Sequence, residues 1–169
     1  MARPTARCRA VQGLALAVAL LGQMALGAAA TPDWDKVANV KSAARQIGEI
    51  QRSRGVEAAY KFISACYKTH GLASKYSKAF EGCIAQDYLQ SRALALVYER
   101  LPADRLKSMG APTANEVIVS LQKRLGAAFA QYKITAGDGE AFLKLVDRHG
   151  MPAFMALVFP NAENPKDRQ

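Results

Sequence analysis

Apolar residues recur every three or four positions through nearly the whole stretch from residue 34 to residue 159, and the alternation of a half-buried strand is almost absent. One face of an α-helix needs that spacing. The chain is therefore expected to be all-α, a small bundle of about five to seven helices. The first expected helix opens with Thr31 as cap and Pro32 in the first helical position, where a missing N–H costs nothing. Its stripe is Trp34, Val37, Val40, Ala44, Ile47 and Ile50, and Gly55 ends it. The second runs from about Val56 to Thr69 on Ala59, Tyr60, Ile63, Cys66 and Tyr67, with His70-Gly71 as its stop. The third and longest spans about Ser77 to Arg100, with Phe80, Cys83, Ile84, Tyr88, Leu94, Ala95, Val97 and Tyr98 on its apolar face.

A short amphipathic turn at Ala103 to Met109 precedes Thr113-Ala114-Asn115-Glu116, which has the form of a capping box. The helix it opens carries Val117, Ile118, Leu121, Leu125, Ala128, Phe129 and Tyr132. Gly137-Asp138-Gly139 reads as a break with Asp138 as the next cap, and the following helix stops at His149-Gly150. Pro152 then starts a last short helix, Ala153 to Phe159.

The first thirty residues have a different character. Arg3, Arg7 and Arg9 make a basic start, Leu14 to Leu26 is apolar and uncharged, and Ala28-Ala29-Ala30 supplies small residues. That order is the form of a secretory signal peptide. The apolar run is too short for a membrane-spanning helix, which needs roughly 20 apolar residues. The expected organisation is a signal peptide over 1–30, one helical domain over 31–160 and a disordered tail over 161–169, working in the periplasm or outside the cell without a transmembrane anchor. Three of the 23 Lys and Arg and none of the 14 Asp and Glu lie in the first thirty residues, which leaves 20 − 14 = +6 on the remainder. Basic charge often means nucleic acid, but export argues against that partner. Lipid headgroups and cell-wall polymers are the anions an exported protein meets.

Cys66 and Cys83 remain after processing, and an even pair in an oxidising compartment is expected to form a disulfide. The competing zinc reading would use Cys66, His70 and Cys83, a set poorly matched to the short spacings of zinc sites. If the second and third helices fold back antiparallel, the bridge places Asp87 opposite Phe62 or Ile63 and His70 opposite Ala79 or Phe80. A His–carboxylate dyad in the hairpin is thereby disfavoured. Asp87 lies one turn beyond Cys83 on a face expected to be covered, so it reads as a rim carboxylate, a buried paired acid or a ligand-binding acid. Arg92 is too poorly aligned along the helix to be its partner.

No metal, cofactor or catalytic motif stands out. There is no His-Glu-x-x-His, no Gly-x-Ser-x-Gly and no glycine-rich phosphate loop. Both histidines, His70 and His149, sit beside glycine at expected helix ends, where a cation suits the dipole. Glu49, Glu57, Glu81, Asp87, Glu99, Glu116, Glu140 and Asp147 offer no pair singled out by spacing. The last helix, with Met151, Phe154, Met155, Leu157, Val158 and Phe159, is either buried on most sides or exposes an apolar interaction surface. The stretch Gly82-Cys83-Ile84-Ala85-Gln86-Asp87-Tyr88 is similar to the Cys-then-Tyr helix of immunity proteins that block secreted amidases, but over those residues only and without that group's extra cysteine pair, so it assigns no family.

These features favour an exported, non-enzymatic helical protein that binds another protein or an anionic envelope component. The alternatives are an envelope hydrolase acting on cell-wall material and a carrier of a small apolar ligand. A binder calls for an exposed apolar or basic patch, a hydrolase for two carboxylates facing one groove, a carrier for an enclosed apolar cavity. Intact mass of the protein purified from its own cell should match a chain starting near Thr31, lower by the mass of two hydrogens than the same chain after reduction. An unprocessed N-terminus or an unchanged mass on reduction overturns the expectation.

Overall fold

In the computed structural model, the structure describes residues 33–160, and the expected signal peptide and tail lie outside them. The described residues form six helices and no strand. They are α1 (Lys36–His70), α2 (Lys78–Tyr98), α3 (Ala103–Ser108), α4 (Ala114–Gln131), α5 (Ala136–His149) and α6 (Met151–Val158). The protein is all-α, as its periodicity requires.

The first two expected helices are the two arms of α1. Gly55 breaks the helix between them at φ 85°, ψ 175°, a backbone region that side chains with a Cβ rarely occupy. The start of α1 differs from expectation. Its cap is Asp35, whose carboxylate accepts the Ala38 N–H at 3.0 Å, whereas Thr31 lies outside the described residues. Trp34 stands before the helix rather than on its stripe, and its indole N–H donates to Glu81 at 2.8 Å. The break expected at Gly137–Gly139 is also corrected. Thr135 caps α5, and both glycines lie inside its first turn. Gly139 is required there by packing, because a Cβ would sit 2.9 Å from the Phe129 ring. The capping box of α4 forms as expected, with Thr113 and Glu116 satisfying each other's backbone N–H groups.

The central element is α2. It packs against α1 and α4 and also touches α5 and α6, so 12 of its 21 residues are buried. Such a helix needs no single stripe. Near its end Ala95 is buried as expected and Ala93 is buried with it, whereas Val97, expected on the apolar face, is exposed. Phe80, Ile84, Ala85 and Leu89 anchor the core from α2, and Val40, Ala44, Ile47 and Ile63 meet it from α1. Cys66 and Cys83 are joined in a disulfide with their Cα atoms 5.7 Å apart. The Tyr60 hydroxyl lies 3.2 Å from the Ser91 hydroxyl, two turns away, and keeps the same antiparallel register. Among the described residues no cluster of three or more His, Cys, Asp or Glu could hold a metal, and no helix is long and apolar enough to cross a membrane.

The last helix packs on the first arm of α1, closely enough that a Cβ at Gly48 would stand 3.0 Å from Leu157. Phe154 is fully buried, so it is no part of an exposed patch, and Met151, Met155, Val158 and Phe159 are half-buried around it. The apolar excess of this segment is spent mainly on packing. Phe154→Ala should cost about 3–5 kcal/mol of stability in denaturant unfolding. A cost near zero would show that this ring is not core.

Candidate functional site

A carboxylate in the middle of a buried helix cannot be left to itself, because removing its charge from water costs several kcal/mol unless partners replace the lost solvation. Asp87 is fully buried on α2 and is supplied from two sides. Arg124 of α4 grips it side-on, with Nε 2.8 Å from Oδ2 and Nη2 2.8 Å from Oδ1. Tyr67 of α1 donates to Oδ2 at 3.2 Å, and Ser91, one turn along α2, donates to Oδ1 at 3.1 Å. Both oxygens therefore accept two hydrogen bonds. Ser91 has a single hydrogen, which goes to Asp87, so the hydroxyl of Tyr60 is the donor in its contact with Ser91. The hydrogen bonds to Asp87 hold the Arg124 guanidinium above its already high ordinary value.

The sequence places Arg124 at the edge of the buried stripe of α4, three residues after Leu121 and seven after Val117. The neighbouring Lys123 is exposed. Among the described residues Asp87 is the one candidate acid gripped by an arginine. The bridge residue Cys66 lies on α1 just before Tyr67, while Met151, Phe154, Met155, Val158 and Phe159 line neither side of the site. Arg124, Tyr60, Tyr67, Ser91 and Ser120 escape a reading by local spacing, since the pair joins positions 37 residues apart. The available signal was the face shared by Arg124 and the apolar stripe of α4.

The network forms the floor of a groove. The second arm of α1 and the body of α4 both pack on α2 but make few contacts with each other. Two cavities of about 660 and 790 Å³ open between them and share Tyr60 and Arg124, so they adjoin at these two side chains. The first is walled by Ile63, Tyr67, Leu72, Phe80 and Ala128, with Lys68 also on its wall. The second runs past Val56, Leu94, Tyr98 and Val117 to Pro112. Lining residues on α4 extend from Glu116 to Gln131, about 22 Å at 1.5 Å per residue. The groove is open to solvent along its length rather than enclosed. Its far end is tied shut, because Gln131 donates to the Gly71 carbonyl and the Tyr132 hydroxyl donates to the Ala73 carbonyl at 3.0 Å. Leu72, between those two carbonyls and on the wall of the first cavity, is 89 % exposed.

A second buried carboxylate lies in the first turn of α2. Glu81 accepts hydrogen bonds from the Trp34 indole at 2.8 Å and the Asn39 amide at 3.0 Å, and so fastens the segment before α1 to the core. Tyr76 packs there against Phe80, Tyr132 and Trp34. Burial, followed by the charge of Glu81, pushes the Tyr76 phenol far above its ordinary range. Tyr67 is pushed up in the same way by burial and Asp87, and Tyr60 is raised chiefly by burial. Tyr88, which donates to Asp147 at 2.8 Å, is pushed up to about 12 by burial and that bond.

The groove also contains Glu116, whose carboxylate accepts from the Thr113 N–H at 2.8 Å. That bond and the Thr113 hydroxyl hold Glu116 below the usual carboxylate range, opposite to what a general acid needs. The two carboxylates facing the groove are thus both committed to structure. No protein-family model, curated protein or solved structure matches this chain.

Arg124→Leu leaves Asp87 buried without its cation and should cost about 3 kcal/mol, at the low end for a broken buried pair because the outer edge of Arg124 is screened by water. Converting both residues to Leu should restore part of that loss; a single variant as stable as the parent overturns the account. The tyrosines give a second test. A phenol raised in the folded state contributes stability that is complete below pH 10, the ordinary phenol value, and for Tyr88 that contribution is lost as pH rises through about 12. Ultraviolet titration of the folded protein should show most tyrosines ionising well above the values of the denatured chain. Coincident curves would contradict the burial.

Proposed function

We propose that this is an exported, non-enzymatic helical protein that binds another protein through the groove between α1 and α4. The observation that carries the reading is the saturation of Asp87. The one fully buried acid beneath the groove accepts four hydrogen bonds and has no lone pair ready to take a proton from a substrate. What the groove offers instead is apolar surface and an exposed leucine at its closed end.

Export rests on the basic, apolar and small-residue order of residues 1–30 and is supported by the bonded cysteine pair. A cell-wall hydrolase would need a raised acid and a second carboxylate free to act, and Glu116 is shifted the wrong way. A carrier of small apolar ligands would enclose its cargo, whereas this groove is open. An anionic envelope polymer, favoured by net charge alone, would meet the basic surface at large and would be indifferent to filling the groove.

Ala127 and Ser64 line the groove and are exposed, so bulk added there does not disturb the core. Ala127→Trp and Ser64→Trp should leave thermal unfolding close to the parent's. Both should abolish the protein adduct formed in the envelope by a photo-reactive side chain at Leu72, which is exposed on the same cavity. Adducts that persist unchanged in the filled variants would overturn the assignment of the groove.

A further inference from the structure

The donors left over in the groove say what kind of segment it takes. Arg124 has five N–H groups. Its Nε and one Nη2 hydrogen bind Asp87, the second Nη2 hydrogen reaches Ser91 at 3.1 Å, and Nη1 donates to Ser120 at 2.7 Å. One N–H of Nη1 remains unspent on a side chain that keeps 37 % of its surface exposed. Lys68, on the wall of the same cavity, has no ion-pair partner among the described residues. The only carboxylate in that cavity is Asp87, which Arg124 already neutralises. In this cavity an incoming carboxylate therefore meets a free guanidinium hydrogen and an unpaired ammonium, while the one other carboxylate facing the groove, Glu116, lies in the adjoining cavity.

Apolar groups surround these donors. The half-buried rings of Tyr60 and Tyr67 and the exposed Ala127 and Leu72 give the cavity its accessible apolar surface, backed by the buried Ile63, Phe80 and Ala128. The groove's length of about 22 Å corresponds to about four turns of helix or seven extended residues. An acyl anion of comparable polarity would need enclosure on all sides to hide its chain from water, and this groove is open. A peptide hides only the face it lays down.

We infer that the groove is a docking site for an amphipathic, acidic peptide segment of a partner protein, with one carboxylate on the free Nη1 hydrogen of Arg124, a charge attraction to Lys68, and apolar side chains against Tyr60, Tyr67, Ala127 and Leu72. This rests on the groove being the binding surface and adds the chemistry of what binds.

The test uses the disulfide-bonded protein without its signal segment. It is panned against random peptides of about 15 residues, enough to span the groove as a helix. Enriched peptides should carry Asp or Glu among apolar residues. They should bind about tenfold more weakly to Lys68→Glu, an exposed site outside the buried network, and should be displaced by Ala127→Trp. Failure to enrich any peptide, or enrichment of basic or uncharged ones indifferent to Lys68→Glu, overturns the inference. Decanoate is the second probe. If it shifts the backbone amide signals of Ser64 and Ala127 while no acidic peptide does, the occupant is an acyl anion and the inference fails. Adducts lost on filling the groove, together with enriched peptides that lack acids, would leave the docking reading standing and remove only the acidic chemistry.

Discussion

The burial of Asp87 organises the rest of the structure. A carboxylate at the centre of a helix bundle demands a cation and further donors, and here they come from α1 and α4 at once. Because Arg124 must reach Asp87 side-on, α4 lies against α2 rather than against α1. Because Tyr60 and Tyr67 must reach the same network, the second arm of α1 is held at a matching height on the other side. The groove is the space these two commitments leave between them. A buried ion pair is a weak source of stability, and its geometric consequence here is a surface concavity.

The disulfide and the glycine break act on the same wall. Gly55 lets α1 change direction, and Cys66–Cys83 fastens the redirected arm to α2. Without the break, a straight α1 would carry its second half away from the bundle. At the far end, the loop carbonyls of Gly71 and Ala73 are taken by Gln131 and Tyr132, so the wall is held at both ends. The central helix bears a cost for its position. Gln90 is buried with neither its amide nitrogen nor its carbonyl oxygen bonded to another protein group, and nothing in the structure explains it.

Local chemistry and tertiary chemistry separate cleanly along the chain. The capping box at Thr113–Glu116, the break at Gly55 and the stop before Gly71 act within a turn or two, so they are legible from neighbouring residues. The start of α1 and the start of α5 were misread because several residues in each stretch could cap. Packing chose Asp35, which follows a tryptophan tethered to Glu81, and Thr135, whose helix then brings Gly139 under Phe129. The apolar segment 151–158 could equally have been core or patch by composition, and contact with α1 at Gly48 decided for core.

By itself the sequence determined that the described chain would be helical and that its two later cysteines would staple an antiparallel hairpin, because periodicity and spacing along one helix are properties of adjacent turns. It also placed Asp87 near the bridge. Only the tertiary structure decided that Asp87 would be fully buried, that Arg124 would be its partner and that an open groove would form above the pair. Those outcomes depend on which helices meet across 37 residues of chain. Such contacts are selected by the summed demands of burial and charge rather than by any local pattern.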